Sequence, residues 1–401
     1  MYYLRYFLLL ISLVLYHFVS AQYFQSAFGT GSHVDDSTIE SVMDNSGNIY
    51  LTGYAYLGTA FGDYQIQNRG IYLAKLNPQG EVMWVFESDG SSDTQATGLA
   101  LDSESNVYIT GIFDHGFSIG PYEFNINLGD RMYLAKFTTD GELLWAKEFG
   151  STNYRGKVFP NGIQIDKDDQ VIIAGSFIED VVFDDYHLES KEGYNYSYHD
   201  LFLTKLNQNG DVIWAKRMGG KYDDYCYSLH FDGNENIYLS GTFSPKEADF
   251  DSLLIDLENT STRGYVLKLN TTGESQWIRY HEYGDNSTSE SHMVASDSKG
   301  AVYSLGTYYN TLILDRDTLD SGDLFLVKYD EAGNQVYSKS INSQVYHYGY
   351  VPGYVVRRSG DIKVDHENSL FLSSNFKQVL YFEQDTLVSQ GGGTPKADIF
   401  I

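Results

Sequence analysis

The sequence predicts an all-β chain, a β-propeller of about six four-stranded blades, and two repeated motifs predict it. The first motif is an Asp, a short polar turn, a β-rich run and a Gly. It begins at Asp44, Asp102, Asp166, Asp232, Asp297 and Asp365 and ends nine residues on, at Gly53, Gly111, Gly175, Gly241, Gly306 and, in the sixth copy, Ser374. The second is an apolar run ending in Lys, a Gly-bearing turn and an aromatic residue nine positions after the Lys. It joins Lys75 to Trp84, Lys136 to Trp145, Lys205 to Trp214, Lys268 to Trp277 and Lys328 to Tyr337. All four tryptophans of the chain therefore occupy one repeat position.

Each motif reads as a hairpin. Segments such as NIYLTG (48–53) and NVYITG (106–111) are β-branched and aromatic, and clusters of Asp, Ser, Asn and Gly bound them. Gly80 and Gly210 supply the positive φ that a tight turn needs. A constant gap of nine means a constant turn length, and so one register for every copy. Two hairpins per unit make four strands. The units start 58, 64, 66, 65 and 68 residues apart, longer than a common blade because of their loops. No stretch after the first residues sustains a 3.6-residue period, so no helix of consequence is expected.

Residues 1–21 read as an export signal. Arg5 is the only charge before Asp35, the run from Phe7 to Val19 is too short to span a bilayer, and Val19-Ser20-Ala21 is a small-residue cleavage site. The propeller domain is then 22–401. Phe24 and Gly29 stand five apart, as Trp145 and Gly150 do, so 23–29 reads as the outer strand of a blade whose other strands are missing upstream. The last unit has the complementary lack, since Asp398 to Ile401 stops inside a strand. The N-terminal strand is expected to complete that last blade. A stop inside a strand equally leaves open a fragment of a larger propeller, with seven blades or more.

Acidic residues number 54 and basic residues 27, a formal charge of −27. Removing Arg5 with the signal leaves 26 basic residues and a charge of −28. That surplus disfavours nucleic acid, whose phosphates need Lys and Arg, and disfavours anionic membrane surfaces. Beyond the signal no segment approaches the length of a membrane span. The single cysteine, Cys226, excludes an internal disulfide framework and a four-cysteine zinc site.

The composite unit, LALDSESNVYITG followed by RMYLAKFTTDGELLWAKEFG, resembles the SBBP-type β-propeller repeat of secreted bacterial proteins across essentially all of 23–401. Tyr337 in place of Trp and Ser374 in place of Gly depart from the pattern. The resemblance implies an extracellular or cell-surface propeller. It implies no established activity and brings no catalytic set.

The repeated residues read as structural. The tryptophans and Tyr337 are expected to pack one blade on the next. The repeat lysines lie across the hairpin from them, and either the ammonium meets the ring or the stem covers apolar surface. The leading Asp is expected to cap its own turn. Asp232, Asn234 and Asn236, like Asp166, Asp168 and Asp169, loosely mimic a calcium loop but lack the bidentate Glu, so neither metal nor cofactor is expected. Gly116-Phe117-Ser118-Ile119-Gly120 matches G-x-S-x-G, yet a nucleophile elbow needs a strand–turn–helix context and this segment aligns with Gly62 in a β context. Asp184-Asp185 and Asp223-Asp224 suggest a glycosidase pair, but so acidic a chain produces adjacent acids by chance. No catalytic residue is expected.

Both repeated turns fall on one face of an up-and-down disc, and the second-to-third-strand and blade-to-blade connections fall on the other. The Tyr-rich insertions belong to that second face. They carry Tyr154, Tyr194, Tyr196, Tyr198, Tyr222, Asp223, Asp224, Tyr225, Tyr283, Tyr346, Tyr348 and Tyr350. Loops on a rigid scaffold are where binding concentrates, and Tyr offers large area, a polar tip and little entropy to lose. The sequence therefore points to a non-enzymatic, secreted or cell-surface binding module that holds an extracellular glycan or protein on this face. A ligand-free scaffold of a larger surface protein and a polysaccharide-active hydrolase or lyase are the alternatives, because fold does not fix function.

Overall fold

The computed structural model describes residues 37–400, except 90–93, 126–128, 192–197, 259, 284–286, 321–323, 342–359, 366, 377–378, 383–384 and 389–397. The expected signal at 1–21 and the expected outer strand at 23–29 lie outside the described residues, as does the closure they were expected to make.

Each of the first five units folds as a four-stranded antiparallel meander. The first sheet runs Ser37–Met43, Ile49–Ala55, Gly70–Leu76 and Val82–Glu87 in spatial as in chain order. The second repeats it with Gln95–Leu101, Val107–Phe113, Arg131–Phe137 and Leu143–Gly150. The third has Lys157–Ile165, Val171–Ile178, His199–Leu206 and Val212–Met218, and the fourth Tyr225–Phe231, Ile237–Phe243, Arg263–Leu269 and Ser275–Tyr280. The fifth has Thr288–Ser296, Val302–Tyr309, Leu324–Tyr329 and Gln335–Ile341. Among the described residues the sixth has three strands, Gly360–Val364, Leu370–Phe376 and Asp398–Phe400. The first strands of successive sheets pack on one another in chain order and form the inner staves, with the fourth strands outermost. The protein is a β-propeller, and the described residues contain no helix.

The repeated turns carry out their role through one carboxylate. In all six copies the leading Asp accepts, through Oδ1, the backbone N–H groups two and four residues on, from Ser46 and Asn48 beside Asp44 to Glu367 and Ser369 beside Asp365. The residue three after the Asp has positive φ in every copy, yet only two of the six are glycine. The reason is visible in the contacts: Asp169, Glu235 and Asn368 use their side chains at that position to accept the N–H of Ser103, Lys167 and Ser298 from the preceding blade. The turn between the third and fourth strands has glycine at its positive-φ position in all five copies, at Gly80, Gly141, Gly210, Gly273 and Gly333.

That second turn receives the tryptophan of the preceding blade. A methyl group placed on Gly141, Gly210, Gly273 or Gly333 would lie 2.8–2.9 Å from the ring of Trp84, Trp145, Trp214 or Trp277, so only glycine admits the indole. The indole N–H of Trp84, Trp145 and Trp277 donates to the carbonyl of Thr139, Gln208 and Glu331, one fixed position of the turn, at 3.1–3.2 Å. A basic residue two after the tryptophan caps the same glycine: Lys147 and Lys216 reach the carbonyls of Gly210 and Gly273 through Nζ, and Arg279 reaches that of Gly333 through Nε.

The repeat lysine does not place its ammonium over the tryptophan. Lys136, Lys205 and Lys328 pair with Asp102, Asp166 and Asp297 of their own blade at 2.8–3.3 Å. Lys75, Lys136, Lys268 and Lys328 lie 4.6–5.6 Å from the rings of Tyr50, Tyr108, Tyr238 and Tyr303 on the second strand. The physical reason is that a nearly buried ammonium needs a carboxylate or lone pair, and the leading Asp supplies one at the same end of the sheet. Burial acts to raise the Asp297 carboxyl, but the backbone N–H groups of Ala301 and Lys299, with Lys328 and Tyr303, hold it below the usual carboxylate range.

The second-to-third-strand connections are themselves paired. Each holds a short hairpin, such as Phe117–Ile119 with Tyr122–Phe124, which folds down the outer side of its own blade. Four of these hairpins bridge back to the preceding blade, at the last residue of its outer strand (Gly150 with Val182) or just beyond that strand's end (Asp89 with Ser118, Gly219 with Asp249 and Glu282 with Ile313). Strands of two to four residues hold too few alternations to be read as periodic. Ser118 sits within such a strand and Gly120 makes its turn at φ +56°, so the G-x-S-x-G match is a hairpin.

The indole–glycine contact predicts non-additive stabilities in urea titrations. Trp145→Ala should cost on the order of 2 kcal/mol, because a half-buried indole and its hydrogen bond are removed. Gly210→Ala should cost at least about 1 kcal/mol in the native background and less when Trp145 is already Ala, because only the positive-φ strain then remains. Additive costs would show that the indole does not set the glycine.

Candidate functional site

The face opposite the repeated turns gathers the ends of the second and fourth strands and the starts of the next first strands. Of the residues singled out from the sequence, Tyr154, Tyr198, Tyr222, Asp223, Asp224 and Tyr225 are described there. Tyr194, Tyr196, Tyr346, Tyr348 and Tyr350 lie outside the described residues, and for Tyr283 only the backbone strand with Glu282 is described.

Tyr154 is 68% exposed and stands apart from the others, with the Arg155 guanidinium against its ring and the Arg155 Nε–H donating to its hydroxyl at 2.9 Å. Tyr198 and Tyr222 form an edge-to-face pair at 5.4 Å. Tyr225 belongs to a longer band that crosses three blades. Phe159 lies 5.7 Å from His199, His199 lies 4.5 Å from Tyr225, Tyr225 stacks on Tyr227 at 6.0 Å, and Tyr227 lies 5.8 Å from His292. Phe159, Tyr225, Tyr227 and His292 come from the inner strands of the third, fourth and fifth sheets. His199 opens the third strand of the third sheet.

Polar contacts hold this band in place. Asp223 Oδ1 binds Nδ1 of His199 at 2.9 Å and accepts the His199 backbone N–H at 3.0 Å. Burial acts to raise the Asp223 carboxyl, but these bonds from His199 and its nearby charge hold it below the usual carboxylate range. Tyr227 and Thr242 share a hydrogen bond between hydroxyls at 3.2 Å, and Nε2 of His292 meets the Thr307 hydroxyl at 2.8 Å. Phe159 and His292 are buried, while His199, Tyr225 and Tyr227 are half-buried and present part of their rings.

The inner strands bulge at one repeat position, with the extra residue at Thr97, Asn161, Tyr227 and His292 in the second to fifth sheets. A bulge re-aims the side chains around it, which is how Tyr227 and His292 join the band. Sequence reasoning missed Phe159 and His292, which lie within inner strands, and it took in His199 and Tyr227 only as part of the Tyr-rich segments 194–199 and 222–227 without singling them out, because a bulge changes register without changing residue type. It missed a second aromatic group as well: Arg69 sits 4.7 Å from the Tyr56 ring and 5.6 Å from the Tyr54 ring, and its Nε–H donates to the Tyr54 hydroxyl. The Gly-Tyr-Ala-Tyr spacing of Tyr54 and Tyr56 was the available signal.

Asp224 is not offered to a ligand. It is fully buried, and its carboxylate accepts the N–H groups of Gly220 at 2.6 Å and Ser244 at 2.9 Å, which ties the third blade to the fourth. The adjacent Asp223 and Asp224 thus have separate roles, one on the band and one inside the joint. Cys226, the next inner-strand residue after Tyr225, is also buried, which pushes its thiol up to about 12. Asp232 has both carboxylate oxygens engaged by Asn234, Asn236 and Tyr238, and no cluster of three metal-ligating side chains exists among the described residues. No helix among the described residues is long and apolar enough to cross a membrane.

No family model matches the chain. It is similar to an uncharacterized WD repeat-containing protein, L264, of Acanthamoeba polyphaga mimivirus, with 24% identity across 68% of this chain and 24% of that protein. The chain thus spans about a quarter of the length of the curated relative it matches. Among solved structures it is similar to a protein of unknown function from Dyadobacter fermentans, with TM-score 0.39, 9% identity, and coverage of 78% of this chain and 84% of that one. A gluconolactonase from Xanthomonas campestris gives TM-score 0.34 and 12% identity, covering 87% and 95% of the two chains. Prolyl oligopeptidase B from Galerina marginata gives TM-score 0.38 and 10% identity, covering 90% of this chain and 42% of that one. At such scores nothing of their chemistry carries over.

The buried thiol provides a measurement of the site's rigidity. Cys226 should resist alkylation by iodoacetamide at pH 8 at least about a hundredfold longer in the native chain than in urea, because burial both hides the sulfur and disfavours the thiolate. Equal rates, read by intact mass, would show that this strand opens readily.

Proposed function

We propose that this chain is a non-enzymatic binding propeller, secreted or held at a cell surface, that takes an extracellular glycan or protein on the face opposite its repeated turns. The observation that carries this reading is the aromatic band from Phe159 through His199, Tyr225 and Tyr227 to His292, with Asp223 fixed beside it. The half-buried rings of His199, Tyr225 and Tyr227, backed by buried Phe159 and His292, suit the apolar faces of sugar rings or the side chains of a peptide, and a carboxylate below its usual range accepts hydroxyl or amide N–H groups. The scaffold beneath is rigid, since each blade is bound to the next at its turns and at its rim hairpins, so little order is lost on binding. The resemblance to secreted propeller repeats and the export-signal pattern at 1–21 support the location. A spacer role within a larger surface protein is a second reading, favoured by the chain's matching about a quarter of a much longer repeat protein.

A glycan array and a pull-down with the purified mature chain test the first reading. Tyr225→Ala and Asp223→Asn should each weaken any ligand found by about tenfold or more, and Leu144→Ser, on the outer rim, should leave it unchanged. Binding that survives Tyr198→Ala, Tyr222→Ala and Tyr225→Ala together would place the ligand elsewhere, and no binding at all would favour the spacer.

A further inference from the structure

The joint between the third and fourth blades holds two carboxylates where the charge balance admits one. Asp200 and Asp224 are both 0% exposed. Both face Gly219, such that a methyl group there would sit 2.6 Å from Asp200 Oδ1 and 2.7 Å from Asp224 Oδ2. Asp200 Oδ2 is satisfied, accepting from Nη1 of Arg217 at 2.8 Å and from the Lys191 backbone N–H at 2.8 Å. Asp200 Oδ1, equally buried, has no hydrogen-bond partner among the described residues. An orphaned carboxylate oxygen that shares a close neighbour, Gly219, with a second buried carboxylate is an arrangement that a proton between the two would satisfy.

The surrounding charges do not remove the excess. Arg217 is the cation that touches the pair, and its other nitrogen lies 3.9 Å from Asp249. Lys191 and Lys221 direct their ammonium groups to Glu247, and Asp223 is engaged with His199. From the fourth sheet, Tyr265 donates its hydroxyl to the Tyr225 carbonyl, and Cys226 is buried beside it. Two carboxylates against one guanidinium leave a net negative charge in a buried joint.

We propose that Asp200 and Asp224 share one proton, carried on Asp224 Oδ2 and donated to Asp200 Oδ1, and that its loss as pH rises loosens the joint under the aromatic band. The neutral Asp224 still accepts from Gly220 and Ser244, so protonation satisfies the orphaned oxygen without breaking a bond. Burial raises both groups, Asp200 to about 6 and Asp224 well above its ordinary value with Asp200's charge adding to it. Because the folded state then binds the proton more tightly than the unfolded chain, the stabilisation is full below the ordinary carboxylate range. It is lost as pH rises through about 6 and above. The Asp224 backbone N–H donates to the His199 carbonyl at 2.8 Å, which connects the joint to the band. The inference does not depend on which ligand, if any, the band holds.

Urea unfolding of the mature chain between pH 5 and pH 8 tests it. Asp200→Asn keeps an oxygen for Arg217 and Lys191 and puts an N–H₂ donor where the orphaned oxygen stands, so it mimics the protonated pair. The wild-type unfolding constant should rise at least about tenfold more than that of Asp200→Asn over this range, since a proton that the folded chain binds tenfold more tightly changes the constant tenfold when it is lost. Parallel pH profiles would overturn the shared proton. So would recovery of wild-type stability at pH 8 on adding sodium or calcium chloride when choline chloride of equal ionic strength has no effect, because a bound cation would then replace the proton. If Asp200→Asn does not fold, infrared spectra of the wild type decide: a buried carboxylic-acid C=O band that persists at pH 6 supports the pair, and its absence overturns it.

Discussion

One contact recurs at every described joint from the first blade to the fifth: the outer-strand tryptophan of one blade lying on the turn glycine of the next. A four-stranded sheet of this size has a hydrophobic face that cannot be buried alone, so each blade is stable only against its neighbour. The indole supplies area, its N–H satisfies a turn carbonyl, and the glycine supplies both the space and the positive φ. Because the donor and the acceptor of this contact lie in consecutive repeats, each pair of blades is aligned in height and rotation by the same atoms. The inner turns add a second row of contacts, in which a side chain at a positive-φ position accepts an N–H from the blade before it.

This arrangement divides the disc into two unlike faces. On the turn face, two rows of contacts recur from blade to blade. On the other face the joints are filled differently each time. Asp180 gathers Ser151, Thr152 and His187 between the second and third blades. Asp200, Asp224 and Arg217 fill the next joint, and His281 with Ser289 and the Arg263 guanidinium fill the one after. A face whose joints need not be identical can carry chemistry that differs around the ring, and the band from Phe159 to His292 lies there. Its position follows from the inner-strand bulges, which turn Tyr227 and His292 toward it, and from the Asp223–His199 contact between blades.

The buried acids show how close structural and functional roles lie in this fold. Asp223 and Asp224 are neighbours in sequence and were grouped as one surface feature by their spacing. In the structure one carboxylate orders the half-exposed band and the other is inside the joint beneath it. The two precede the strand Tyr225–Phe231 and find different partners, His199 for Asp223 and the N–H groups of Gly220 and Ser244 for Asp224.

Much of this protein was determined by sequence alone. The nine-residue gaps specify hairpins of one length, the four tryptophans at one repeat position specify an element made to meet its neighbour, and the count of units specifies a disc rather than a sandwich. These features are local and periodic, so they survive in a one-dimensional pattern. Tertiary structure alone decided which partner each repeated residue finds. Lys136, Lys205 and Lys328 turn from the tryptophan to the leading Asp, and Lys75 and Lys268 to oxygens of the next blade's turn, because a desolvated ammonium requires a carboxylate or a lone pair. The rim hairpins form because a neighbouring strand edge is there to pair with. Asp200 meets Asp224 from 24 residues away, across a boundary between blades that no spacing rule marks. Long-range pairs of charges and rings depend on how two sheets pack, and packing is set by volumes and burial that no single repeat contains.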